Sequence, residues 1–99
     1  MANSDIISEK WLEKQVTKHI ESIGGVSVKL FPHLLNGIPD RMGLLPNAKV
    51  VFIEVKTTKK KPTPLQCWWG EKLKGLGFKH YIVDSLESLN EFTHDTETT

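Results

Sequence analysis

Residues 49–56 read KVVFIEVK, the strongest strand signal in a chain of 99 residues. As a strand, its side chains alternate in facing. Val51, Ile53 and Val55 share one face; Val50, Phe52, Glu54 and Lys56 share the other. Glu54 and Lys56 therefore stand beside Phe52 where water is scarce, and a charge buried without a partner costs several kcal/mol. The rest of the sequence has to supply the partner.

Before this strand, residues 36–40 read NGIPD, a turn that delivers Asp40 directly after a proline. If Arg41 to Leu45 is also extended, the two segments form a hairpin around Pro46-Asn47. That hairpin brings Asp40 and Glu54 to the same end. Two carboxylates so placed can share a divalent cation, and hard oxygen donors suit Mg²⁺ or Mn²⁺. The cation would let Glu54 remain ionised in an apolar setting. Lys56, on the same face, can orient an attacking water or stabilise charge on a phosphate. Taken alone, Glu-x-Lys also fits an ordinary ion pair across strands.

Further upstream, residues from about Ile6 to Ile23 predict a helix. Leu12, Val16, Ile20 and Ile23 form its apolar stripe, and Gly24-Gly25 ends it. Glu9 and Glu13 both lie on the half of the wheel that carries Val16 and Ile20. Glu13, at the edge of that face, is the chosen site acid and Glu9 its rival. VSVKLF (26–31) predicts a strand. Downstream, TTKKKPTP is a polar loop, and LQCWWGEKLKGL (65–76) predicts a second helix with Leu65, Trp69, Leu73 and Leu76 inward. KHYIVD (79–84) predicts a further strand. Ser85–Phe92 predicts a short last helix, with Asp84 and Glu87 at capping-box spacing. A helix between two strands with short turns implies a right-handed crossover and a parallel pair. The expected fold is α/β, a mixed β-sheet flanked by helices in the order α-β-β-β-α-β-α. One domain spans 1–92, with a polar, frayed tail over 93–99.

Gln66 opens the second helix and faces inward, where it can bind a phosphate or the cation's water, or simply close the helix start. The run Lys59-Lys60-Lys61 follows the Glu54 strand, and with Arg41 it offers contacts to DNA phosphates; a solvated loop is the plainer reading. Trp68 and Trp69 cannot both face the core, so Trp68 turns toward a partner subunit or a base. The four histidines have no metal-ligand spacing and read as structural or exposed.

Composition sets the outer bounds. The chain is 38% hydrophobic and 25% charged with a net charge of +1, so any basic surface is local. Cys67 is the single cysteine, which excludes an intrachain disulfide and a cysteine zinc site. It fits a reducing cytoplasm. No apolar run approaches the ~20 residues of a membrane span, and the N-terminus does not read as a signal peptide.

In order and at compact spacing, GIPDR, FIEVK and PTPLQ resemble the PD-(D/E)xK nuclease superfamily, and within it the VRR-NUC family. The resemblance covers most of the chain. It implies a small restriction-endonuclease-like core and a metal-dependent nuclease. Asp40 and Glu54 would be metal ligands with the carbonyl of Val55 as a third. Lys56 would be the catalytic lysine and Gln66 the family's glutamine, with Glu13 the least fixed carry-over. Stand-alone members of this size resemble viral or bacterial homodimers that act on branched DNA, including four-way (Holliday) junctions. The sequence thus points to an endonuclease hydrolysing DNA phosphodiester bonds. Its alternatives are a nuclease of flaps, nicks or single strands, or a binding module without catalysis.

Overall fold

The computed structural model describes residues 7–31, 35–57 and 60–97. Helix α1 (Glu9–Ser22) begins at Ser8, whose side chain accepts the Trp11 N–H. Burying Leu12, Val16 and Ile20 on one stripe draws α1 onto the sheet. Strands β1 (Val26–Lys29), β2 (Arg41–Leu45) and β3 (Lys49–Val55) follow. Helix α2 (Pro64–Gly75) then crosses to β4 (Lys79–Val83), and α3 (Leu86–Glu97) closes the domain.

The sheet runs β1-β2-β3-β4. β1 and β3 pair antiparallel with β2, and β4 pairs parallel with β3. The order and class are those the sequence predicts. A three-residue connection joins β2 to β3, with Asn47 and Ala48 at φ of 66° and 60°. Asparagine tolerates that left-handed region; alanine adopts it at some cost.

Alternation along β3 splits the molecule into two layers. Val51, Ile53 and Val55 enter a core with Leu12, Val16 and Ile20 of α1 and Leu89 and Phe92 of α3. Phe52 looks to the other side, where its ring meets Phe78 edge-on at 5.4 Å. His80 stands opposite Phe52 in the β4 register. A side chain at Gly70 of α2 would come within 2.8 Å of the His80 ring, so α2 packs closely on that face only because position 70 lacks one.

Three expectations are corrected. The inward stripe assigned to α2 is narrower than predicted: Leu73 is buried, whereas Leu65 and Leu76 are 44% and 64% exposed. α2 approaches the sheet through Gly70 and Leu73, which leaves both ends of the stripe beyond the strands. The last helix is capped one residue later than Asp84–Glu87. The Ser85 hydroxyl accepts the Ser88 N–H and the Ser88 hydroxyl accepts the Ser85 N–H, both at 3.1 Å. Finally, the expected frayed tail is helical as far as Glu97. Thr96 is 1% exposed, donates to the Phe92 carbonyl at 2.7 Å and meets His19 Nε2 at 2.7 Å. A polar THDTE sequence hides this, because one threonine per turn carries the contact.

Thr96→Ala removes the hydroxyl that meets His19 Nε2 and bonds the Phe92 carbonyl, and losing such a hydrogen bond costs about 0.5–1.5 kcal/mol. The urea midpoint of the variant should fall accordingly; an unchanged midpoint would return residues 93–97 to the status of a dispensable tail.

Candidate active site

The hairpin register builds the site. β2 and β3 pair Arg41 with Ile53. Continued by one residue, the ladder sets Asp40 opposite Glu54, and opposed residues project from the same face. Asp40 is held in place from three sides. Pro39 beside it is fully buried. Its carbonyl accepts the Leu30 N–H at 2.9 Å. Its Oδ2 accepts the Val55 N–H at 2.7 Å. In an extended residue the N–H and C=O point to the same side, so the Val55 carbonyl also faces the Asp40 side of β3.

Glu54 is only 2% exposed. Gln66 Nε2 donates to its Oε2 at 2.8 Å, and Lys56 Nζ lies 3.8 Å from the same oxygen. The Gln66 oxygen meanwhile accepts the Thr63 N–H at 2.8 Å, and the Thr63 hydroxyl accepts the Gln66 N–H. Of the two readings of Gln66 the helix-start one is seen, since its carbonyl closes the start of α2; its amide, in addition, donates to Glu54.

Charge in this cluster is unbalanced. Burial, the neighbouring Asp40 carboxylate and a hydrogen bond shared with it push the Glu54 carboxyl from 4.5 up to about 8, and Lys56 opposes the shift without cancelling it. Asp40 is also raised, chiefly by burial, although its bond from Val55 favours the ionised form. Two neighbouring carboxyls whose burial favours the protonated form are suited to exchange a proton for a divalent cation. All the available donors there are oxygens, which fits a hard ion. Among the described residues no group of three His, Cys, Asp or Glu side chains converges there or elsewhere to hold a metal ion.

No family model matches the sequence. A phage protein does: "Putative nuclease p44" of Acyrthosiphon pisum secondary endosymbiont phage 1 is 36% identical over 80 residues, spanning 81% of this chain and 86% of its own length. Among solved structures, a chain described as a VRR_NUC domain superposes with a TM-score of 0.79 at 28% identity, covering 87% of this chain and 94% of its own. The chain belongs to the VRR-NUC nuclease family.

Within this VRR-NUC fold the other sequence-nominated residues divide. Glu13 faces the sheet, as its place on the wheel suggests, but Arg41 Nε at 2.9 Å and Lys29 Nζ at 3.2 Å both engage its Oε1. Its rival Glu9 adds to the negative field on Glu54, and Glu13 to that on Asp40. Arg41 follows Asp40 in sequence, yet alternation sends its side chain to the α1 side, where Nη1 also donates to Ser27 Oγ at 3.2 Å. Lys60 and Lys61 are exposed in the connection between β3 and α2. Lys59 lies outside the described residues, as does His33. The sequence reading overlooked Lys29 and Ser27. The period-two pattern of VSVK carries Ser27 and Lys29 on one face, which was the available signal. Among the described residues no helix is long and apolar enough to cross a membrane.

The VRR-NUC acid pair should leave a pH signature on stability without metal. Because the folded Glu54 carboxyl holds its proton more tightly than the unfolded one, its contribution is complete below 4.5 and is lost as pH rises through about 8. His19 and His80, both lowered by burial from 6.5, act in the opposite sense only in more acidic solution. With EDTA present, the melting temperature should fall from about pH 6.5 to 8.5, and Glu54→Gln should flatten that slope. Equal slopes in the two proteins would remove Glu54 as the titrating group.

Proposed function

We propose that this protein is a Mg²⁺- or Mn²⁺-dependent endonuclease that hydrolyses DNA phosphodiester bonds, selects branched DNA such as four-way junctions, and works as a homodimer. The observation that carries the reading is the Asp40–Glu54 pair, two carboxyls set opposite each other at the end of a hairpin, Glu54 only 2% exposed and with Lys56 Nζ 3.8 Å away. Asp40, Glu54 and the Val55 carbonyl would hold the cation. When bound, it supplies Lewis-acid polarisation of the scissile phosphate and eases deprotonation of the attacking water.

The remaining work falls to the chain. Lys56 is half-buried beside Glu54, so its ammonium is held rather than free to sample solvent. From there it orients the water for in-line attack and balances charge that develops on the phosphate. Gln66 fixes the rotamer of Glu54 from a capped helix start, which keeps the carboxylate aimed while substrate enters. Lys60 and Lys61, exposed in the connection after β3, contact flanking phosphates, and Lys59 takes the same role on its place in the sequence alone. Glu13 acts at one remove, through Arg41 and Lys29.

One acid pair cuts one strand. Symmetric cutting of a junction needs two, which a two-fold dimer provides. Trp68 is 54% exposed and stands edge-on to Trp69 at 5.3 Å, a large apolar surface for a subunit contact. The lone cysteine and the phage relative support action in the cytoplasm of a bacterial cell or a virus-infected host.

Labelled linear, nicked, flap and four-way DNAs, each incubated with Mg²⁺, Mn²⁺ or EDTA, test this directly. The four-way junction should be cut best and EDTA should stop cutting. Asp40→Asn and Glu54→Gln should abolish cleavage with the fold retained. Lys56→Met should keep metal binding and lose turnover by orders of magnitude. Preference for flaps or nicks would reassign the substrate, and full activity of either carboxylate variant would sink the site.

A further inference from the structure

Beyond the acid pair lies a second charged feature that the cleavage chemistry does not use. Lys10, Lys14 and Lys18 recur every four residues along α1 and are all exposed. They form one edge of a groove of about 550 Å³ whose lining also includes Lys29, Arg41 and Glu13. Successive lysines at this spacing stand ~6 Å apart along the helix, so the row spans ~12 Å. That is the axial rise of three to four phosphates of one DNA strand, at ~3.4 Å each.

The acids in the groove do not cancel the row. Glu13 is committed to Arg41 and Lys29. Those bonds, with that of Arg41 to Ser27 and of Ser27 to Thr17 at 3.1 Å, lock the floor in one arrangement. Glu21 lines the groove as well, beyond Lys18 on the helix. Near-neutral composition makes this segregation informative: a chain with net charge +1 has gathered four lysines and an arginine around one cleft. The groove lies on the α1 side of the sheet, near the site's end of the hairpin: Arg41 on its floor is the first residue of β2, directly after Asp40, whose side chain faces the other layer.

We propose that the α1 groove is a second track for the nucleic-acid backbone, one that holds a duplex arm of the substrate by its phosphates, without reading sequence, while the scissile bond lies at Asp40 and Glu54. The proposal rests on the nuclease reading and deepens it. Glu13 then plays a structural part, presenting Arg41 and Lys29 to the groove in a fixed array. Lys10, Lys14 and Lys18 make the contacts, and each one lost should lower the salt dependence of binding by about one counterion.

The test is equilibrium binding of a labelled four-way junction in EDTA, repeated over a series of salt concentrations. Lys10→Gln/Lys14→Gln/Lys18→Gln is compared with Lys49→Gln/Lys72→Gln/Lys79→Gln, which removes the same charge from exposed lysines outside the groove. The α1 triple variant should bind about ten-fold or more weakly at 0.1 M salt, with the log–log salt slope reduced by about 2.7. The control triple variant should stay within about two-fold of the wild type, since distant exposed charges are screened. Should the α1 triple variant fail to fold, by circular dichroism, the single Lys14→Glu substitution takes its place and should weaken binding in the same direction. Unchanged affinity and slope in the α1 variants, or equal losses in both sets, would overturn the proposal. Wild-type cleavage with Mg²⁺ or Mn²⁺ is measured in parallel: if cleavage is absent and binding behaves as stated, the nuclease reading fails and the track stands.

Discussion

Two carboxyl groups face each other at the end of a buried hairpin, and one lysine is not enough to balance them. Much of the local architecture answers that constraint. The β2–β3 register sets Asp40 against Glu54. The Val55 N–H, the Gln66 amide and the Lys56 ammonium each offset part of the charge. What remains unbalanced appears as the raised Glu54 carboxyl. A protein selected only for stability would have no reason to keep this pair, since replacing buried charge by apolar side chains is often neutral or stabilising. The cost is intelligible when the pair holds a cation in the working enzyme.

The surrounding fold isolates that cluster from the core. Val51, Ile53 and Val55 alternate with Phe52, Glu54 and Lys56 and anchor β3 to α1 and α3. The site is thus built on a strand whose opposite face is fully packed, which fixes the backbone beneath it. α2 closes the site from the other layer through the contact of Gly70 with His80, and it delivers Gln66 from a doubly bonded cap. A glutamine serving both cap and carboxylate couples the start of the helix to the geometry of the acid pair.

Much of this was legible because β3 states both its period and its exception. An apolar alternation interrupted by Glu and Lys on one face identifies strand, layer and site together. The Pro-Asp turn at hairpin distance fixes the second carboxyl. What escaped depends on partners distant in sequence. Glu13 and Arg41 lie on neighbouring elements, and nothing in either segment alone announces their ion pair. The exposure of Leu65 and Leu76 depends on where α2 lands on the sheet, which a helical wheel does not contain. Thr96 is read as tail because its burial rests on His19, 77 residues away.

If the Asp40–Glu54 pair exchanges a proton for a divalent cation, the proton can be counted. Calorimetric titration of the protein with Mn²⁺ at pH 7, in buffers of differing ionisation enthalpy, gives the number displaced by binding. With the Glu54 carboxyl raised to about 8, most chains hold that proton at pH 7, and binding should release close to one proton per chain. Glu54→Gln should abolish both the binding and the release. Saturable binding with no proton displaced, or binding that survives Glu54→Gln unchanged, would rule the exchange out.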